Sequence, residues 1–158
     1  MNYFLYKRYV DIPKSVWNEL LTEQDFFISP ACVQIIEAEH EKEIEPLYIL
    51  IKNEGELVGI VYAQLFHING NKLKEYINNG NSNFNILNEI KVFLANRINV
   101  KVGFLGNVFL TNEESYKLSN GSINDQHLPH ILELITAETE AKFILIPDSY
   151  EKSIPLVK

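Results

Sequence analysis

The chain carries a single cysteine, Cys32, in 158 residues. One thiol excludes an internal disulfide and any cysteine-cluster metal site. Its neighbours, SPACVQIIEAEH, read as a helix with Cys32 on the apolar side, so a buried structural thiol is expected rather than a nucleophile. Positive charge is also scarce. Against 21 Asp and Glu stand 14 Lys and Arg, a net charge of −7. That balance argues against nucleic-acid binding, which needs a basic surface to release counterions. No run of about eighteen apolar residues exists, so no membrane-spanning helix is expected. The start, MNYFLYKRYV, puts its basic pair after a short aromatic-rich piece, the reverse of a signal peptide, and a cytoplasmic location follows by default. Phosphate-loop signatures are missing as well. Gly103 and Gly106, in KVGFLGNVFLTNEE (101–114), fit neither G-x-G-x-x-G nor a P-loop with its Lys-Ser/Thr pair. No Ser-His-Asp arrangement is legible.

What is present is ordinary for one globular domain over 1–158: 46% apolar and 22% charged residues. NYFLYKRYVDI is rich in β-formers and opens the fold as a strand. After Pro13, KSVWNELL puts Val16, Trp17, Leu20 and Leu21 on one helical face. In DFFISP, Ser29 can cap a helix with Pro30 in its first position, and that helix runs to about His40, burying Cys32, Ile35 and Ile36. The clearest signal is PLYILIKNEGELVGIVYAQLFHI. LYILIK is apolar on both faces, as in a central strand, NEGE supplies a turn at Gly55, and LVGIVYAQLFHI is a second strand, so a hairpin is predicted. Gly59 within it hints at a bulge or a close backbone approach. INNGNSNFN reads as a loop, and from Ser82 a helix follows on Phe84, Leu87, Ile90, Phe93, Leu94 and Ile98. VKVGFLGNVFL reads as a strand, TNEESYKLSNGSIND as a long loop, QHLPHILELITAETEA as an amphipathic helix on Leu128, Ile131, Leu132 and Ile135, and KFILIPD as a buried strand. The order is β-α-α-β-β-α-β-α-β. Its last three elements form a right-handed βαβ unit with parallel strands. The fold class is α/β: a mixed central sheet with helices on both faces.

Candidate chemistry is thin. Gly103 and Gly106 read as strand glycines where a side chain would collide, rather than as phosphate contacts. SNGSIND (119–125) precedes a helix and offers two readings: an anion site at the helix N-terminus, or an Asn120-Gly121 turn with Asn124 or Asp125 as cap. His127 and His130 are three apart on a helix, yet two ligands do not make a metal site, and surface or capping roles are expected; no metal is assigned. The pairs Glu37/Glu39 and Glu113/Glu114 read as solvated charges, with Glu114 the better candidate base. Gln64 and His67 point to opposite faces of one strand and cannot both line one cleft without a bulge.

The element order, with YILIKNEGELVGIVYAQ at the hairpin, resembles the GNAT-type acyl-CoA N-acyltransferases. More narrowly, DFFISPACVQIIEAE, the hairpin and GFLGNVFLTNEE resemble a bacterial GNAT-like group related to the Fem-type peptidoglycan aminoacyltransferases. The resemblance implies acetyl-CoA or another acyl-CoA as small-molecule donor and attack of a free amine acceptor on its thioester. The pantetheine arm would lie in a splay between the Leu105–Leu110 and Phe143–Ile146 strands, against the backbone of Val108, Phe109, Leu110 and Thr111. Asn120, Gly121 and Ser122 would meet the pyrophosphate; the superfamily's Q/R-x-x-G-x-G/A motif is absent there. The catalytic base is not named. The family's fold continues past KFILIPD with a helix and two strands. This chain is therefore expected to lack the C-terminal elements, to leave its last strand with an open edge, and to need a homodimer partner or its missing C-terminal half. Two alternatives stay open: a degenerate, non-catalytic GNAT-like domain used for binding or interaction, and an unrelated small-molecule-binding α/β domain.

Overall fold

The strand Ile44–Asn53, with the apolar run Leu47 to Ile51 fully buried at its middle, lies at the centre of the protein. The computed structural model describes residues 1–13, 15–70, 98–110, 113–120 and 126–147. In chain order the strands are β1 (Asn2–Tyr6), β2 (Ile44–Asn53), β3 (Glu56–Asn69), β4 (Asn99–Phe104), β5 (Tyr116–Leu118) and β6 (Ala141–Leu145). The α-helices are α1 (Pro30–Glu39) and α2 (His127–Glu138). The strands form one mixed sheet in the order β1-β2-β3-β4-β6, with β5 pairing to β3. Every pairing is antiparallel except β4 with β6, which is parallel as expected of a βαβ unit. Among the described residues, no helix is long and apolar enough to cross a membrane.

The β2–β3 hairpin forms as its sequence predicts. Glu54 and Gly55 take φ of 52° and 93°, the two positive values of a primed two-residue turn whose twist matches the strands. Val58 is the extra residue of a bulge, since Lys52 pairs with Leu57 and Ile51 with Gly59. A Cβ on Gly59 would run into the Leu118 side chain, so the close approach at that glycine holds, while the bulge falls one residue earlier, at Val58. Helix α1 starts as predicted, with Pro30 in its first turn and Ser29 Oγ accepting from Cys32 N at 3.4 Å.

Strand alternation sends side chains into two cores. On one face Leu47, Ile49, Ile51, Val61, Ala63 and Leu65 meet Leu128, Ile131 and Ile135 of α2. On the other, Tyr48, Leu50, Ile60 and Tyr62 meet Val33 of α1 together with Trp17 and Ile28 from short 3-10 turns and Ile12 just after another. Trp17 is held there by its indole N–H, which donates to Ile28 O at 2.8 Å.

Several expectations need correction. KSVWNELL forms only a 3-10 turn at Val16–Leu20. Ile35 is 63% exposed, because α1 turns Val33 inward and keeps Ile36 and Glu37 at the half-buried level. Cys32 is half-buried rather than sealed. The 111–125 loop contains strand β5, which takes up the edge of β3 at Gly59–Val61 that β4 does not reach. β6 is not a buried strand: it ends the strand order, and Phe143 and Leu145 are exposed. The helix expected from Ser82 lies outside the described residues, as do Thr111, Gly121 and Ser122.

Candidate functional site

The edge of β3 changes partner partway along its length. β4 pairs with Gln64–Asn69 and β5 with Gly59–Val61, while Tyr62 N donates to Ser115 O at 2.8 Å. Between these two stretches the chain leaves the sheet beyond Leu105, and residues 106–110 lie outside its strands. Leu105 N–H still donates to Leu145 O at 2.9 Å, and the next residue, Gly106, has φ +135°. That conformation is open to glycine and strained for other residues, and a Cβ there would also press on Ser115 Oγ at 3.1 Å.

Local hydrogen bonds shape the turn that follows. Asn107 Oδ1 accepts from Phe109 N at 2.9 Å, and Asn107 O accepts from Leu110 N at 3.0 Å. Asn side chains favour such turns because they replace a backbone acceptor. The predicted strand therefore stops at Phe104, and Val108, Phe109 and Leu110 sit in a turn. The Leu105–Leu110 wedge against Phe143–Ile146 is corrected accordingly: β4 and β6 are hydrogen-bonded together as far as Leu105 and Leu145, and the chains part only beyond them.

Gln64 pins this turn to the sheet. Fully buried, it accepts from Val108 N at 2.8 Å through Oε1 and donates from Nε2 to the Tyr62 hydroxyl at 3.0 Å. Burial pushes the Tyr62 hydroxyl up to about 12, with nearby Glu37 adding to the rise. Burial likewise pushes Tyr48 far up, and its hydroxyl donates to Glu37 Oε2 at 3.3 Å. Both phenols stay neutral near pH 7 and serve as hydrogen-bond groups. One atom in the turn has no partner: Asn107 Nδ2 is the buried side-chain polar atom left unsatisfied among the described residues. Such a donor costs about 1–3 kcal/mol.

Beside the turn lies a cleft of about 480 Å³, lined by Val108 and Phe109 with Glu43, Ile44, Phe66 and His67 among its other walls. The His40 ring rests against Phe109 at 4.6 Å between centroids, and His40 Nδ1 is 3.6 Å from Glu43 Oε2. The cleft thus joins aromatic surface to an imidazole–carboxylate contact. Gln64 and His67 part company as the strand period requires: Gln64 is inside with Tyr62, and His67 is exposed.

The expected cofactor residues do not all converge. Val108 and Phe109 line the cleft, whereas Asn120 follows Ser119, whose N–H donates to Val58 O at 2.9 Å. Val58 and Gln64 are six positions apart on β3, about 20 Å at the usual strand rise. Glu113 and Glu114 are exposed. His127 and His130 do share a neighbour, Tyr3: its hydroxyl is 3.2 Å from His127 Nδ1, and its ring lies 5.4 Å from that of His130. Burial, with His130 adding to it, pushes the His127 pKa below its ordinary value. The helical spacing placed these two histidines together, but it held no sign that Tyr3 would meet them. Among the described residues no group of three or more His, Cys, Asp or Glu is arranged to hold a metal ion.

Fold and site together define a class: an α/β protein whose mixed sheet has an interrupted strand edge beside an aromatic-walled cleft. In comparisons with known proteins, no family model, curated protein or solved structure matches the chain.

Proposed function

We propose that the domain is GNAT-like and transfers an acyl group from acyl-CoA, or a related activated donor, to an amine. The amine nitrogen bonds to the thioester carbonyl carbon, the carbon–sulfur bond breaks, and the proton lost by nitrogen ends on the departing thiolate. The observation that carries this reading is the turn at 106–110. It leaves the sheet at the end of the parallel β4–β6 pair and presents Val108 and Phe109 to the cleft. Support also comes from the sheet itself, in which three antiparallel neighbours are followed by one parallel pair. A cytoplasmic setting belongs to the same reading.

Calorimetric titration with acetyl-CoA and longer acyl-CoAs tests it. Saturable heat is expected, and thiol release should follow when amines are added. Absence of heat from every acyl-CoA overturns it. A second reading, a non-catalytic binding domain, draws on the β4–β6 pair, which stays in parallel register from Val102 with Phe143 to Phe104 with Leu145. Heat without thiol release across a broad amine panel favours that reading.

A further inference from the structure

We infer that the Asn107 side-chain amide is the hydrogen-bond donor to the acyl group's carbonyl oxygen, an inference that rests on the acyltransferase reading above. Buried polar atoms in folded proteins are almost always paired, so an orphan asks for a specific explanation. Here the orphan is a donor, Asn107 Nδ2. Its orientation is not arbitrary. Turning the amide over would set NH₂ against the Phe109 N–H, which now finds its acceptor in Oδ1 at 2.9 Å. The Phe109 N–H therefore holds the oxygen in the turn and commits the NH₂ group to some other partner.

That partner must be an acceptor, and the place suits a carbonyl. Asn107 directly precedes Val108 and Phe109, which line the cleft, and Gln64 anchors the same turn through Val108 N. A donor fixed in this way needs no reorganisation when charge develops on oxygen. As the amine nitrogen bonds to the carbonyl carbon, the carbonyl electron pair moves onto that oxygen. It returns when the carbon–sulfur bond breaks. Asn107 Nδ2 would hold the oxygen throughout. The donor is closed off from solvent in this structure, so the side chains over it must move on binding, while the hydrogen bonds from Phe109 N and Leu110 N keep the amide in place.

The test compares two ligands: acetyl-CoA and S-ethyl-CoA, a thioether without the carbonyl oxygen. The unaltered protein should bind acetyl-CoA about tenfold more tightly. In 15N spectra the Asn107 side-chain NH₂ resonance should move with acetyl-CoA and stay in place with S-ethyl-CoA. Asn107→Asp keeps the acceptor for Phe109 N–H and removes the donor, and Asn107→Ala removes both. In each, the preference should collapse towards one. Equal affinity for the two ligands in the unaltered protein overturns the inference, as does a preference that survives in both variants, while acyl-CoA binding itself stands. If neither ligand binds, the acyltransferase reading falls and this inference with it. Should the variants fail to fold, the affinity ratio and the NH₂ signal of the unaltered protein decide the matter alone.

Discussion

The two faces of the sheet are built from alternate residues of the same strands, yet they differ in kind. The face under α2 is mainly aliphatic: Leu47, Ile49, Ile51, Val61, Ala63 and Leu65 close on Leu128, Ile131 and Ile135, with Tyr116 and Tyr3 as its aromatic members. The face under α1 carries Trp17, Tyr48 and Tyr62 in edge and tilted ring contacts, and beside them the buried amide of Gln64. Aliphatic packing is indifferent to direction, whereas the hydroxyl and amide groups need partners at fixed geometry. One face therefore supplies stability, and the other also specifies where the 106–110 turn and its cleft lie.

The contrast can be broken first on the aliphatic side. Ile131→Ala removes a fully buried side chain and should cost about 2–5 kcal/mol in urea unfolding. The cleft, on the opposite side, should keep its ligand affinity in the fraction that remains folded. A more selective break is Gln64→Leu, which keeps the volume but orphans Val108 N–H and the Tyr62 hydroxyl. A loss of about 1–3 kcal/mol is expected. Faster amide exchange should be confined to the turn, and uniform loosening of the sheet would contradict the role given to Gln64.

The smallest effect sharpens the contrast, because one polar contact does sit on the α2 side. His127 is buried against Tyr3 and next to His130, and its folded-state pKa lies below 6.5. A depressed histidine pKa means that the fold prefers the neutral ring. Its stability contribution is fully present above about pH 6.5 and is lost as pH falls from there through the folded value. Melting temperature should drop across that window, and His127→Gln should flatten the drop. Asp25 does not interfere. Burial would raise its carboxyl pKa, but hydrogen bonds from Thr22 and contacts with Lys117 outweigh that and hold it below 3.8. Its effect therefore appears only in more acidic solution. An unchanged pH profile in His127→Gln would remove the histidine from the account.

The hairpin, the start of α1 and the apolar stripe of α2 were legible because each rests on neighbours in sequence. Glu54-Gly55 makes its own turn, Ser29 caps three residues ahead, and Leu128, Ile131 and Ile135 repeat at helical spacing. Reading failed where a distant contact overrode the local pattern. FLGNVFL looks like uninterrupted strand, but Gly106 and the Asn107 side chain turn it outward, and Gln64 holds the result. YKL looked like loop because three residues carry too little pattern, and only the vacant edge of β3 makes them a strand. KFILI looked buried because its composition cannot reveal that nothing described covers Phe143 and Leu145. Of the candidate site, Val108 and Phe109 were named from the sequence. Gln64 was noticed without its role, and Asn107 was missed altogether, since an asparagine in an apolar run does not announce whether its amide finds partners.

The sequence by itself determined an α/β chain with a central hairpin, one capped helix ahead of it and a parallel pair near its end. Those features follow from hydrophobic period and turn chemistry, which act over a few residues. Only the tertiary structure decided the exchange of partners along β3, the bond between Tyr3 and a histidine 124 positions away, and the stranded amide of Asn107. Each of these depends on which remote groups arrive at the same place, and hydrogen-bond pairing across such distances leaves no periodic trace in the chain.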